Sequence, residues 1–163
     1  MNNMKVDPVK RVIWGDIARE LAKETDVKIC RCYGDGFYTY LDREGGLPFL
    51  LENAGSDEAG YCERIIGWQV LEDDSSVILP EALFRLLNDR GEALLYGYYR
   101  DPRPDDILEW ERRCSQDGQR VTIQAPLAGA ISMSRISGWL RESPFDRYTI
   151  RKKGVYYQAW LRK

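Results

Sequence analysis

Residues 27–41 read VKICRCYGDGFYTYL, with two segments rich in apolar and aromatic residues on either side of Gly34-Asp35-Gly36. Segments of this kind around a glycine-containing turn are typical of paired strands, and glycine readily adopts the positive φ angle that tight turns require. The pattern therefore predicts a β-hairpin with its turn at residues 34–36. It does not predict a phosphate-binding loop, because the segment lacks the further glycine and the following helix of such loops.

Helices and strands alternate along the rest of the chain. Asp7-Pro8 predicts the start of an amphipathic helix that extends to about Lys23. Similar patterns predict helices from Pro80 and Pro104 and strands over 64–71, 76–79, 93–99 and 120–125, whereas residues 42–63 are loop-like. We therefore expect an α+β fold with small antiparallel sheets and three to four helices.

Length and composition are those of an ordinary globular protein. The chain has 163 residues, of which 44% are hydrophobic and 31% charged, enough for one domain or two small ones. Its apolar runs, such as LPFLL at 47–51, are too short to span a bilayer. The N-terminal segment has no apolar core of a secretion signal. We expect a cytoplasmic protein without membrane association.

Four cysteines, at positions 30, 32, 62 and 114, are expected to be reduced in such a chain. A zinc site is the alternative, but their spacing matches no recognised ligand set. A shared packing face on one strand explains Cys30 and Cys32 as well. We assign no metal and no cofactor.

The sequence carries no positive signal for an enzyme. It has no histidine, the side chain that most often acts as a general base near neutral pH. Asp105, Asp106, Glu109 and Glu111 invite comparison with metal-dependent nucleases, but the acids and lysine of the nuclease motif are absent. These four acids are typical of the start and the solvent face of a helix. We therefore assign no catalytic residue.

Charge is distributed unevenly along the chain. Residues 134–163 contain eight Lys/Arg and two Asp/Glu, a net charge of +6, while the remaining residues carry a net charge of −8. Such asymmetry is typical of a basic surface for a polyanion set on an acidic body.

Residues 130–143, AISMSRISGWLRES, resemble the turn and recognition helix of helix-turn-helix proteins. The matching positions are Ala130, Ile131, Ser132, Ile136 and Leu140. Ser132 can cap the helix, and Met133, Ile136 and Leu140 form an apolar stripe at helical spacing. Upstream, TIQAPLAG at 122–129 departs from the pattern, because a proline stands where the first helix should be.

The last segment, RYTIRKKGVYYQAWLRK at 147–163, predicts a hairpin that turns at Lys153-Gly154. In this register, one face carries Arg147, Thr149, Arg151, Tyr156, Gln158 and Trp160. A helix followed by a basic hairpin is the order of winged helix-turn-helix domains. The resemblance therefore implies a winged-helix-like nucleic-acid-binding unit over 101–163 beside an α+β body over 1–100, or one continuous domain.

This resemblance implies a role for particular side chains in binding nucleic acid, with duplex DNA as the expected form. Arg135, Ser137 and Arg141 would face the groove. Phosphates would be contacted by Arg147, Arg151, Lys152 and Lys153, and sugars or bases by Tyr156 and Trp160. We expect a non-enzymatic nucleic-acid-binding protein.

The alternative is an acidic interaction factor, such as an inhibitor, immunity or adaptor protein, that blocks or recruits a partner protein. Its acidic residues are grouped at 57–63 and 72–74. Cross-strand pairs of arginine and aromatic residues also cover ordinary exposed sheets, so the basic hairpin is compatible with either role.

Overall fold

The structure, a computed structural model, describes residues 7–163 except residues 25, 54, 72–79 and 116–117. These residues form five helices and six strands. In chain order, they are α1 (Pro8–Leu21), β1 (Ile29–Tyr33), α2 (Asp35–Glu44), β2 (Leu50–Glu52), β3 (Cys62–Trp68), α3 (Pro80–Leu86), β4 (Leu87–Tyr98), α4 (Pro104–Cys114), α5 (Met133–Glu142), β5 (Arg147–Lys153) and β6 (Tyr156–Arg162).

All six strands belong to one mixed sheet in the order β2-β1-β3-β4-β6-β5. Strands β2, β1, β3 and β4 are mutually parallel, and β6 is antiparallel to both β4 and β5. Parallel neighbours require crossover connections, which helices usually supply. The fold is therefore α/β, and the expectation of small antiparallel sheets was wrong.

The decisive difference lies at residues 34–44, where the predicted second strand is helix α2. Phe37 and Leu41 are four residues apart and each is only 1% exposed, so they form the buried stripe of a helix. A short apolar segment suits a strand or a helix equally well. Packing against the sheet decides between them here.

Helices cover both faces of the sheet and produce two cores. Helices α1, α2 and α4 contribute Ile13, Phe37 and Trp110 to one core, and α3 and α5 contribute Leu83 and Ile136 to the other. Strand side chains alternate between them. The parallel strands are thus buried on both faces, as in other sheets of this kind.

Several predicted helix starts are confirmed. The Asp7 carboxylate accepts a hydrogen bond from the amide of Val9 at 2.8 Å, with Pro8 at the first helical position of α1. Helix α3 begins at Pro80 and α4 at Pro104. Helix α5 is capped by Ser132, whose hydroxyl accepts from the amide of Arg135.

Two other expectations fare differently. The predicted strand over 120–125 is absent, because side chains hold this segment against the end of α4: the Ser115 hydroxyl accepts from the amide of Val121, and Glu111 from that of Ile123. The expected strand at 76–79 lies outside the described residues.

The C-terminal hairpin is present but is not a wing. Strand β6 pairs with β4 from Tyr156 to Arg162, so the hairpin completes the central sheet. Helix α5 packs Ile136 and Leu140 into the core below it. The sheet takes strands from both sides of residue 101, and the division of the chain at that point stays a prediction.

No helix among the described residues is both long enough and apolar enough to cross a bilayer. The cytoplasmic location stays a prediction.

Candidate functional site

The chain changes direction in the sheet between β1 and β3, because β2 lies on one side of β1 and β3 on the other. In open α/β sheets, ligands bind outside the carboxyl ends of the strands at such a switch point. Strands β1 and β3 end at Tyr33 and Trp68. The segments directly after these strand ends, 34–36 and 69–71, therefore border the candidate site.

Gly34 joins β1 to α2 with a φ of +107°. Residues other than glycine rarely adopt this backbone conformation. A Cβ at this position would lie 3.5 Å from the carbonyl oxygen of Trp68. Gly34 is also the N-cap of α2, and no side chain in the described part of the chain caps the helix. The N-terminus of α2 is therefore suited to an anionic group, through its free amides and the helix dipole.

Glu52 ends β2, eighteen residues after Gly34. In dinucleotide-binding folds, an acidic residue about 20 residues beyond the glycine turn binds ribose hydroxyls. The Glu52 carboxylate accepts a hydrogen bond from the Tyr61 hydroxyl, at 3.0 and 3.1 Å from its two oxygens. This bond raises the pKa of Tyr61, so the hydroxyl stays protonated as a donor.

Arg31, a buried residue of β1, anchors the loop after β2 beside Glu52. Its guanidinium donates to the carbonyl oxygen of Ser56 at 2.6 Å and lies 3.5 Å from the Asp57 carboxylate. It also lies 5.6 Å from the ring of Tyr61. Tyr61, whose hydroxyl donates to Glu52, is therefore held in place by the Arg31 guanidinium, and Arg31 is only 3% exposed.

Gln69 follows β3 with a φ of +54°, which is unusual for a residue other than glycine. Its backbone amide donates to the carbonyl oxygen of Tyr96 at 2.7 Å. Its side-chain amide donates to the carbonyl oxygen of Ala128 at 2.9 Å. The strained residue therefore ties the segment around 128 to the carboxyl end of β3.

Buried aromatic rings form the wall behind the glycine turn. Trp14, Phe37, Trp68 and Tyr98 contact one another with ring centroids 5.1–6.2 Å apart. The Trp14 ring also lies 3.4 Å from the position of a Cβ on Gly36. Within the described residues, the indole N–H groups of Trp14 and Trp68 have no hydrogen-bond acceptor.

The cysteines contribute no metal centre among the described residues, where no three Cys, Asp or Glu side chains come together to hold an ion. All four are free and buried. Burial raises the pKa of the Cys30 and Cys32 thiols well above the ordinary range. They are therefore packing residues at neutral pH.

The residues expected to contact nucleic acid do not form one surface. Helix α5, with Arg135, Ser137 and Arg141, packs on one face of the sheet, whereas Arg151 of β5 lines a cavity with α1 on the other.

Several hairpin residues contact the protein itself. Arg147 donates to the carbonyl oxygen of Lys163, and Lys153 pairs with Glu20. Lys152 lies over the Tyr99 ring, Tyr156 packs on Trp110, and Trp160 is half-buried. These contacts do not test nucleic-acid binding by the nine side chains, and their assignment stays a prediction.

The fold is similar to that of solved methyltransferases. A SAM-dependent methyltransferase from Aquifex aeolicus shares 12% identity at a TM-score of 0.57, over 97% of this chain and 99% of that chain. A SAM-dependent methyltransferase from Archaeoglobus fulgidus shares 9% identity at a TM-score of 0.53, over 94% of each chain. No protein-family profile and no curated protein sequence matches the chain.

This fold overturns the winged-helix resemblance and, with it, the expected functional class. Several of the solved structures it matches are described as SAM-dependent methyltransferases, and this contradicts the expectations of a non-enzymatic nucleic-acid-binding protein and of an acidic interaction factor. The similarity to methyltransferase structures also contradicts two further expectations, that the partner is DNA and that the protein is not an enzyme.

Sequence reasoning missed Gly34, Glu52 and Gln69. The available signal was a glycine turn between an apolar strand and the i, i+4 pair Phe37 and Leu41, with an acidic residue eighteen positions after Gly34. The hairpin interpretation concealed it.

Proposed function

We propose that this protein binds S-adenosylmethionine at the carboxyl ends of β1, β2 and β3 and transfers its methyl group to a small-molecule acceptor. One arrangement carries the proposal. A glycine turn opens the uncapped helix α2 and is followed by Glu52 at the end of β2, at the switch point of a methyltransferase-like sheet.

The residues present fit the cofactor at two of its groups. The N-terminus of α2 would hold the carboxylate of the methionine part, because helix N-termini attract anions. Glu52 would accept hydrogen bonds from the ribose hydroxyls, as acids at this position do in related folds. Gly34, without a Cβ, allows the backbone of the turn to approach the ligand closely.

When bound, S-adenosylmethionine supplies an electrophilic methyl group on a positively charged sulfur. The chain itself would exclude water with the buried wall of Trp14 and Trp68, which are 4% and 7% exposed. It has no imidazole to act as a base. We therefore favour an acceptor that arrives in its nucleophilic form, such as a neutral amine.

Calorimetric titration of the intact chain with S-adenosylmethionine and with its demethylated product tests the binding step. We expect saturable binding of both at one site per chain. Incubation with cofactor labelled in the methyl group and a panel of small amines then tests transfer. Failure of both ligands to bind would contradict the proposal.

Gly34→Ala tests the turn directly. Its φ of +107° makes alanine cost about 1–3 kcal/mol of backbone strain, and moving the turn should weaken cofactor binding at least about tenfold. Gly46→Ala is the matched control, because Gly46 also has a positive φ, +58°, with no atom within 4 Å of the added Cβ. The proposal fails if the two variants bind the cofactor equally well.

A further inference from the structure

A second cavity, of about 180 Å³, lies between the C-terminal end of α1 and the β5–β6 hairpin. Glu20, Leu21 and Glu24 form its α1 side, and side chains of β4, β5 and β6 form the rest. Gly34, Glu52 and Gln69 are not among its lining residues. The cavity is therefore separate from the proposed cofactor site.

Its floor is apolar. Leu21, Leu94 and Tyr96 are 1%, 6% and 1% exposed, and the half-buried Trp160 stands beside Leu94 in the sheet register. An apolar floor with a few polar groups around it is the usual composition of a small-molecule site. The volume is below the roughly 300–1,000 Å³ of sites for drug-sized ligands, so a ligand must be small.

Two polar groups in the wall lack partners. The Tyr96 hydroxyl and the Trp160 indole N–H are buried and form no hydrogen bond with any described residue. Burial raises the pKa of Tyr96, so its hydroxyl stays protonated. Buried polar groups are normally satisfied, so either donor is a candidate for contact with a ligand.

Charged side chains line both sides of the cavity, with Glu20 and Glu24 on the α1 side and Glu92 and Arg151 on the sheet side. Glu92 pairs with Arg64 and Arg162. On the α1 side, Glu20 pairs with Lys153 at 2.6 Å through Oε1, and Glu24 pairs with Arg64 through Oε2. Each of these two carboxylates therefore already has one cationic partner. On the opposite side, Arg151 of β5 forms no ion pair with a described residue.

We propose that this cavity binds a small zwitterion of the α-amino-acid class. Its ammonium group would lie at Glu20 and Glu24, and its carboxylate toward Arg151 and the Trp160 indole. Its side chain would rest on Leu21, Leu94 and Tyr96. A ligand without the ammonium group would make no contact with the two carboxylates, and a ligand without the carboxylate would leave Arg151 without an ion pair.

Ligand-observed NMR of the intact chain with glycine, L-serine, L-leucine and L-phenylalanine tests the class. These probes share the zwitterion and differ in side-chain size. We expect saturable binding of at least one of them. The amide and the N-acetyl derivative of the tightest binder, each lacking one charge, should bind at least about tenfold more weakly. Binding by none of the four, or equal binding by the two derivatives, would overturn the proposal.

Two variants locate the site. Arg151→Gln should weaken zwitterion binding about tenfold and leave binding of the amide unchanged, whereas Glu20→Gln should weaken zwitterion binding and spare the N-acetyl derivative. Arg147→Gln is the matched control, because Arg147 lies on the same strand outside the cavity lining. Equal effects of Arg147→Gln and Arg151→Gln would overturn the assignment. Glu52→Gln should leave zwitterion binding unchanged, which separates this site from the cofactor site.

Discussion

Glu52 carries one of the two proposed cofactor contacts, and its carboxylate already accepts a hydrogen bond from Tyr61. Glu52→Gln keeps the shape of the side chain but removes its charge. Hydrogen bonds to charged groups contribute about 1.5–3 kcal/mol, so we expect S-adenosylmethionine to bind roughly 10- to 100-fold more weakly. Calorimetry measures the change.

Glu109→Gln is the control for charge, since Glu109 is an exposed acid on α4. It should bind the cofactor like the unmodified chain. If Glu52→Gln also binds normally while its melting temperature is unchanged, Glu52 has no role in the site.

Cys30 makes a prediction about pH. Burial raises its pKa in the folded chain above the ordinary value of 9.0, so unfolding releases a proton above that pH. The free energy of unfolding should therefore be constant below about pH 8 and decline as pH rises beyond 9, by up to about 1.4 kcal/mol per pH unit for each such thiol.

Urea unfolding under reducing conditions from pH 7 to 11 measures this slope. Cys30→Ala should make the decline of the free energy of unfolding with pH shallower, by about the contribution of one proton per molecule. Ile66→Val, a change at a buried residue of the neighbouring strand, should lower stability without changing the slope. An unchanged slope in Cys30→Ala would exclude the thiol as its source.

At the residue scale, the sequence carried correct local information about Gly34. The sequence predicted a turn at this glycine, and the structure shows a φ of +107° there. The segment after the turn was predicted wrongly, because the alternation in residues 37–41 suits a strand as well as a helix. Burial of Phe37 and Leu41 under the sheet selects the helix, and that contact is not local.

At the scale of elements, the tie between Gln69 and Ala128 predicts how the segment 125–131 moves. Gln69→Asn still tolerates a positive φ, but its amide is one methylene too short for the 2.9 Å bond. A lost bond of about 0.5–1.5 kcal/mol should speed hydrogen exchange at Ala130 and Ile131 roughly 2- to 10-fold. Gln69→Gly should do the same while relieving the backbone.

Exchange followed by mass spectrometry or NMR checks this prediction, with the amides of α1 as the internal reference. If exchange at 125–131 does not change in either variant, the side-chain bond does not restrain the segment.

The hairpin shows which part of an element a sequence predicts. The residues that share each face are those expected, but Arg151 pairs with Gln158 and Arg147 with Arg162, two residues away from the predicted register. The turn is at Gly154-Val155, where Trp110 lies against Gly154 so closely that a Cβ would clash. The alternation of side chains along the strands keeps the same residues on each face of the hairpin. The observed register is associated with the contact that Trp110 of α4 makes at Gly154.

At the scale of the whole molecule, β6 is integral to the sheet. Tyr157, Ala159 and Leu161 are at most 1% exposed, as are Ile136 and Leu140 of α5. A chain that ends at residue 130 would expose the surfaces these residues cover. We expect it to lose cooperative unfolding, as monitored by circular dichroism. A cooperative transition in the shortened chain would show instead that the N-terminal part folds by itself.

The sequence by itself determined the local features of this protein: the caps at Asp7 and Ser132, the helix starts at prolines 80 and 104, the turn glycines and the apolar faces. These depend on neighbours within a few residues, which the chain displays directly. Only the tertiary structure decided that four of the strands run parallel, that residues 35–44 form a helix, and that Gly34 and Glu52 lie at the carboxyl ends of the neighbouring strands β1 and β2. Those outcomes depend on which surfaces bury one another across the sheet, and segments distant in the sequence supply them.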